Sequence, residues 1–399
     1  FAYTGPAAIF REHAALSGLA SATGCAFDIS GLADLSDDGY ERLEPVQWPV
    51  TAAAPNGTER LFGDGGFLFP DGRARLVPVA AGRQVAADSE CSLVLNTGRV
   101  RDQWHTMTRT GKVARLAEHR PEPFAAFHAE DADRLGLVDG GLVRLGNDQG
   151  QVLLRVRVDE GQGRGTVFVP FHWSAATAAA ARVDALVAAV TDPVSGQPAS
   201  KHARVWAEAV TPAWSGFLLR RTRWAPAGVD YWAEVARADC WEYPLAGLAP
   251  VADWTAWHRD HLGSDGDWLV FSDPGTGRYR AAQVVGGRLE AVLFVGPGAE
   301  AGESAWLAER FASETLGEAE RGALLAGGHG SSERAGPAVC ACFGVDAATL
   351  RAAIADGADS VAALGERLGA GTNCGSCIPE IRSLIAEAGN AAATKEATS

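Results

Sequence analysis

Methionine is nearly absent: of 399 residues only Met107 is one, and the chain opens on Phe1, so a piece of a longer protein is expected. Long apolar runs are lacking as well. The Ala-rich run 175–190 is interrupted by Arg182 and Asp184, so it predicts a surface-packed helix and not a membrane span. Nothing resembles a secretory leader, which leaves a cytoplasmic setting as the expectation. Positive charge is in deficit, with 35 Lys and Arg against 49 Asp and Glu and a net charge of −14. That balance argues against a general binder of nucleic acid or anionic membrane. Residues 211–300 contain no glycine fingerprint for a dinucleotide, so no flavin or nicotinamide site is expected there. Cysteine is sparse, and four of the seven cluster near the end, which fits a reducing compartment better than a disulfide scaffold.

Those four carry the clearest chemistry. Cys340 and Cys342 form one close pair, Cys374 and Cys377 another, and 31 residues separate the pairs. Four soft ligands suit tetrahedral iron in an iron–sulfur cluster or a structural zinc ion, and spacing alone leaves both open. Two disulfides or four buried thiols are the plainer alternatives. The intervening chain predicts short helices. Asp346 caps one carrying Leu350 and Ile354 that ends at Gly357, and Ser360 caps another with Val361, Leu364 and Leu368 that ends at Gly369. A third follows, with Pro379 in its first turn and Ile378, Ile381, Leu384 and Ile385 on one stripe. The remaining thiols, Cys25, Cys91 and Cys240, have no close partner and are expected to be ordinary buried or half-buried residues.

Along the chain, residues 4–16 predict a helix with Ile9, Phe10 and His13 on one face. Residues 25–72 are rich in Gly, Pro and Asp and poor in periodic runs. A short buried strand is expected at 93–95, broken by Asn96, Thr97 and Gly98. It leads into the polar run Arg99-Val-Arg-Asp-Gln-Trp-His-Thr-Met-Thr-Arg-Thr-Gly111. There Gly98 would allow close backbone approach, Arg99 and Arg101 could fork onto phosphate, Thr106 and Thr108 offer hydroxyls, and Trp104 and His105 present flat faces. The residues alone leave a ligand-binding loop and a solvated arginine-rich loop both open. An acidic helix is expected at 127–135 after which strands follow at 142–145, 152–158 and 166–169, a compact β-barrel pattern. His172, between Phe171 and Trp173, is expected to be a packed or cofactor-touching residue and not an acid or base. The tryptophans between 211 and 300 read as core, with strands at 268–280 and 286–296. A helix at 304–324 and a tether at 327–336 complete the reading.

Resemblance sharpens these expectations. The cysteine quartet with the segment 369–380 resembles the bacterioferritin-associated-ferredoxin type of [2Fe–2S] domain, which implies electron transfer. The run from Thr97 to Gly111 resembles assimilatory nitrate reductases of the molybdopterin oxidoreductase family, whose corresponding loop binds molybdopterin guanine dinucleotide. Segments 27–32, 47–49, 57–62 and 69–74 resemble, in order, the stretch that precedes the last domain of that family. Carried over by position, Thr97, Gly98, Arg99, Arg101, Gln103, Trp104, His105 and Thr106 would line the dinucleotide, with Thr108, Arg109, Phe171 and Lys201 adding to them. Asp184 stands where an Asn is usual. Cys340, Cys342, Cys374 and Cys377 would hold the [2Fe–2S] cluster.

The implied fold is multidomain. It has a family-core remnant over 1–90, a double-psi β-barrel for the dinucleotide over 91–210 and a small α+β module over 211–300 resembling the end of flavoprotein reductases. Helix and linker follow over 301–337, and a small helical [2Fe–2S] domain over 338–390. The implied reaction is nitrate to nitrite at a molybdenum bis-dinucleotide centre. Electrons would come from an NAD(P)H-dependent reductase subunit, a ferredoxin or a flavodoxin. The four-cysteine motif for a [4Fe–4S] cluster and the molybdenum ligand usual in the family would lie upstream. This chain alone is therefore expected to bind its cluster and not to reduce nitrate. A formate dehydrogenase and a non-catalytic [2Fe–2S] carrier are the rival readings.

Overall fold

The first helix shows how small residues can decide a face. In the structure, a computed structural model describing residues 2–76, 78, 93–193, 195–296, 301–327 and 338–396, helix α1 runs Pro6–Ser21. Side chains of 301–303 and 390–396 are not described. Proline suits the first helical turn because its missing N–H has no helical partner there. The buried face is Ala7, Ala14 and Ser17; Ile9 and His13 are exposed and Phe10 is half-buried, so the stripe of Ile9, Phe10 and His13 is not the side that the helix buries. Small side chains let the loop-rich stretch come close: the Ser17 hydroxyl accepts the Ile29 amide at 2.9 Å, and Ala14, Ile29 and Val50 form a small core with Phe10, Phe27 and Trp48. A short helix, α2 (Asp37–Glu41), is capped by Ser36. Cys25 is exposed, contrary to expectation; it follows the end of α1, beyond the last buried residue of that helix. Residues 1–85 form one compact unit and 86–399 a second. Cys91, and the expected tether beyond Gly327, lie outside the described residues.

The second unit begins with a closed barrel. Its strands are β1 (Leu93–Gly98), β2 (Phe124–Phe127), β3 (Leu142–Asn147), β4 (Gly150–Val158), β5 (Thr166–Pro170) and β6 (Ala203–Val210), in the order β1-β5-β2-β4-β3-β6. Pairs β1–β5 and β2–β4 are parallel; the others are antiparallel. Leu93, Leu95, Phe127, Val143, Leu145, Val152, Leu154, Val156, Val167 and Val169 fill the interior, the period-2 placement that a pleated strand imposes. Asn96, Thr97 and Gly98 continue β1 instead of breaking it, because the parallel partner β5 pairs with every residue to Gly98. Helix α3 (Ala114–Ala117) precedes β2, and α4 (Ala129–Leu135) follows it, ended by Gly136 in the left-handed conformation.

The Ala-rich run is corrected. It forms no α-helix, only a 3-10 turn at Val183–Leu186, and Ala178, Ala181, Val183 and Leu186 are buried. Helix propensity loses here to tertiary pairing: the Ala180 carbonyl accepts the Leu153 amide, and Ala178 bridges to Ala233.

A wholly antiparallel sheet follows. It comprises β7 (Trp214–Arg220), β8 (Tyr231–Trp232), β9 (Val235–Ala236), β10 (Trp241–Gly247), β11 (Asp267–Asp273), β12 (Arg278–Val285) and β13 (Arg288–Val295), ordered β11-β12-β13-β7-β10-β8 with β9 on β10. Helix α5 (Trp254–Leu262) brings Trp254 and Trp257 against one face, beside Trp214, Trp224 and Tyr279. Helix α6 (Ala301–Arg310) covers the other with Leu307, followed by Phe311 and Leu316. The single helix expected at 304–324 is broken. The Leu316 amide bonds to the Gly287 carbonyl, and α7 (Glu318–Ala323) restarts where Glu320 accepts the Gly317 amide. Leu153 and Leu142 on the barrel's outer face pack with Tyr231 and Ala246, joining barrel and sheet.

The last element is small. A hairpin of β14 (Ala338–Cys340) and β15 (Val345–Asp346) leads into α8 (Ala347–Ala355), α9 (Val361–Leu368) and α10 (Ile378–Glu396). The caps follow expectation: Asp346 accepts the Thr349 amide, Ser360 accepts the Ala363 amide, and Gly369 ends α9 with a left-handed φ of 71°. Leu350, Leu364, Ile381 and Leu384 form its core together with Cys340 and Cys377. Among the described residues, no helix is long and apolar enough to cross a membrane.

Candidate functional site

Two places in the second unit gather polar chemistry, and the first is the end of β1. Gly98 sits against Phe168: a Cβ there would fall 2.5 Å from that ring, so the close packing on the barrel's outer face favours glycine whatever else approaches. The Gly98 carbonyl accepts the Phe171 amide at 3.1 Å. Beside it the Thr97 hydroxyl donates to the Ser200 carbonyl at 3.0 Å, and Lys201 donates to the Thr97 carbonyl. Thr97, Gly98, Phe171 and Lys201 thus meet at one rim of the barrel.

His172 fixes the loop that leaves this rim. It is fully buried; its Nε2 accepts the Val100 amide at 2.9 Å, and its Nδ1 donates to the His105 carbonyl at 2.7 Å. With both nitrogens committed to backbone, and with burial holding its pKa below the ordinary histidine value, it stays neutral and structural. The tie acts at His105, whose φ is 45°; Met107 follows at φ 59°, and both lie in a left-handed region costly for side chains of that size. Met107 is buried in return, while Trp104, His105, Thr106, Thr108 and Arg109 stay exposed. Arg99 lies over the Trp104 ring, 5.3 Å from its centroid.

Gln103 is buried. Its amide donates to the Leu116 carbonyl at 3.1 Å, and its Oε1 has no partner, as the buried Trp173 indole N–H has none. Both line a cavity of about 270 Å³ with Thr106, Thr108, Lys112 and, from the following sheet, Arg223 and Glu234. Unpaired buried polar atoms on a cavity wall fit a ligand that would satisfy them. A second cavity of about 260 Å³ is lined by Arg99, Arg101, Arg120 and Arg157. Arg120 borders both cavities, and burial with the neighbouring Arg157 lowers its pKa to about 10, so it remains charged at neutral pH. Neither Arg120 nor Trp173 was singled out from sequence as facing a ligand, and no spacing marks them.

The second place is the thiol quartet. The Cys342 and Cys374 sulfurs lie 3.4 Å apart, and Cys340 adjoins Cys377. Cys340 and Cys377 are buried, Cys342 is half-buried and Cys374 is exposed, so one edge of the quartet reaches the surface. Among the described residues, no three His, Cys, Asp or Glu side chains close round a single point; the thiols meet as two pairs instead. The Ser376 hydroxyl and amide pull the Cys374 thiol below its ordinary pKa. Burial and adjoining Cys340 push Cys377 up to about 11, against the pull of the Gly371 amide. Backbone amides directed at sulfur are the second-sphere donors that an anionic thiolate site requires. Gly375, at φ 72°, makes the tight turn between Cys374 and Cys377. This soft, amide-lined donor set fits an iron–sulfur cluster.

Arg101 borders the second cavity and is also engaged within the chain. Its Nε lies 3.1 Å from Asp102, one terminal nitrogen lies 3.1 Å from Glu380 on α10, and the other donates to the Val339 carbonyl. His119 stands between the same carboxylates, 2.6 Å from Asp102 and 3.2 Å from Glu380, within ion-pair reach though not aligned for hydrogen bonds.

The two places coincide with two known domain families. The family model described as the molybdopterin dinucleotide binding domain matches residues 93–204, and that of the BFD-like [2Fe–2S] binding domain matches 338–387. This chain carries both domains. It is 38% identical over 97% of its length to a protein named nitrate reductase from Klebsiella oxytoca. It is 32% identical over 43% of its length to the assimilatory nitrate reductase catalytic subunit of Bacillus subtilis. It is also 34% identical over 34% of its length to the F420-dependent formate dehydrogenase subunit alpha of Methanocaldococcus jannaschii. The chain spans 44% of the Klebsiella protein, 24% of the Bacillus one and 20% of the methanogen one.

Proposed function

We propose that this chain is the dinucleotide-binding and electron-receiving part of a cytoplasmic, molybdenum-dependent assimilatory nitrate reductase. One observation carries the reading: the dinucleotide-binding and [2Fe–2S] domains stand in one chain that aligns along nearly its whole length with a nitrate reductase. The formate dehydrogenase likeness favours the same superfamily, but it covers about a third of the chain and supports the rival less.

In this reading the barrel is of the double-psi type and the antiparallel sheet with its helices is the reductase-like α+β module. Segment 97–109, apart from Arg101 and together with Phe171 and Lys201, lines the guanine dinucleotide of a molybdenum bis-dinucleotide centre. Gln103 Oε1 and the Trp173 indole supply unpaired polar atoms, and Arg99 and Arg120 supply positive charge for its phosphates. Lys201 and Thr97 hold the rim, and His172 holds the loop in its strained form, so the donors are placed before the ligand arrives. Cys340, Cys342, Cys374 and Cys377 hold the [2Fe–2S] cluster, with the Cys342–Cys374 edge exposed to a donor such as an NAD(P)H-dependent reductase subunit, a ferredoxin or a flavodoxin. The bound centres supply the one-electron steps and the oxygen-atom chemistry that turn nitrate into nitrite; the protein's part is to bind, orient and exclude water.

Binding of guanine nucleotide to the full chain tests the barrel assignment. Gln103→Ala and Lys201→Ala should each weaken binding of guanosine diphosphate, used as a fragment of the dinucleotide, by about tenfold, the scale of one hydrogen bond to a charged or buried group. Equal, weak binding by both variants and the parent would contradict the assignment.

A further inference from the structure

Every nitrogen of the Arg101 guanidinium is already engaged by the chain itself. Asp102 holds Nε, Glu380 holds one terminal nitrogen and the Val339 carbonyl holds the other. An arginine in this state has little left to fork onto a phosphate. Two of its partners belong to the thiolate domain: Val339 directly precedes Cys340, and Glu380 lies in the first turn of α10, just past Cys377. The contact does not stand alone. Arg115 donates to the Cys342 carbonyl at 3.3 Å, and His119 reaches Glu380 at 3.2 Å. All three barrel-side residues come from one segment, 101–119, which continues the loop anchored by His172.

The burial of this cluster separates it from ordinary surface pairing. The side chains of Asp102 and His119 are 7% and 6% exposed, those of Arg101 and Glu380 19% and 32%. Exposed ion pairs contribute little. A network this enclosed is different, because removing one member strands the charge of its partner away from water.

We propose that Arg101 and Glu380 are positioning residues, which together with His119 seat the thiolate domain on the segment following the first barrel strand and so hold the Cys340–Cys342 loop beside the candidate dinucleotide loop. Naming the two loops as cluster and cofactor sites rests on the proposed function; the seat itself does not. Arg101 therefore leaves the set of dinucleotide ligands and joins the contact between the two domains.

Hydrogen–deuterium exchange on the full, iron-loaded chain tests this, with cluster absorbance recorded on the same samples. Glu380→Gln keeps side-chain size while removing charge, and Arg101→Gln removes the charge with a shorter polar side chain. Each should speed exchange of amides in both 113–119 and 339–343, about tenfold, with the strands of the barrel and the cluster absorbance unchanged. Because both residues belong to one contact, the double variant should exchange no faster than the faster single. Unchanged exchange on either side of the contact in the single variants, or a double effect equal to the product of the two, would overturn the seat. So would loss of cluster absorbance in Glu380→Gln, since that residue would then support the thiols and not the docking. Absence of cluster absorbance in the parent chain would instead refute the cluster reading and leave the exchange result to decide the seat.

Discussion

The barrel over 93–210 closes six strands round a core of branched aliphatic side chains, and its strands pair residues far apart in sequence. The domain matched over 338–387 is about 50 residues long, built from three helices and a short hairpin, and two of its four thiols belong to its own core. A domain of about that size buries too little apolar surface to be robust without a metal or cross-link. The barrel can therefore hold its site as a by-product of a stable fold, whereas the thiolate domain depends on the group its site holds.

Breaking the small domain should give the largest effect. Cys377→Ser removes a buried thiol that is core and, in the proposed function, a cluster ligand, so bound iron should fall to near zero. The unfolding step of 338–390 should then disappear from calorimetry while the barrel's transition persists. Two transitions surviving with the metal gone would contradict the dependence. Next in size is Leu154→Ala in the barrel, which should cost about 3 kcal/mol in urea unfolding and leave iron content untouched.

His172 sharpens the contrast from the barrel side. His172→Ala strands the Val100 amide and the His105 carbonyl and should cost about 2 kcal/mol. Its pKa is depressed in the folded state by burial, so the unfolded chain binds the proton more readily. The stability it contributes is thus present above the unfolded value of about 6.5 and is lost as pH falls through the lower folded value. Chemical-denaturation curves for the parent should weaken on going from neutral to mildly acid pH, and His172→Gln should flatten that part of the slope. The smallest effect belongs to the surface of the thiolate domain. Arg367 and Asp356 pair at 2.9 Å while largely exposed, and Arg367→Ala should change stability by no more than about 0.5 kcal/mol.

The same contrast explains what could be read from sequence. The thiolate domain was legible almost residue by residue, because its helices are set by local chemistry: Asp346 and Ser360 cap, Gly369 stops, and two close cysteine pairs announce the site. The barrel was legible in outline. Alternation showed β4, but β1 ran on through Asn96–Gly98 because a parallel partner reaches it from 72 residues away, which no local pattern records. The Ala-rich run misled for the same reason, its backbone groups being taken up by Leu153 and Ala233. In the candidate site, the donor-rich loop could be seen, but the unpaired Gln103 oxygen, the role of His172 and the partners of Arg101 depend on residues brought together only by folding.

The central claim is that one chain joins a dinucleotide barrel to a domain whose thiols hold a [2Fe–2S] cluster. Metal analysis with electron paramagnetic resonance of the reduced full chain tests it most directly. The account predicts about two irons per chain and a paramagnetic signal on one-electron reduction, lost in Cys374→Ser. One zinc per chain, with no iron and no signal, would contradict it.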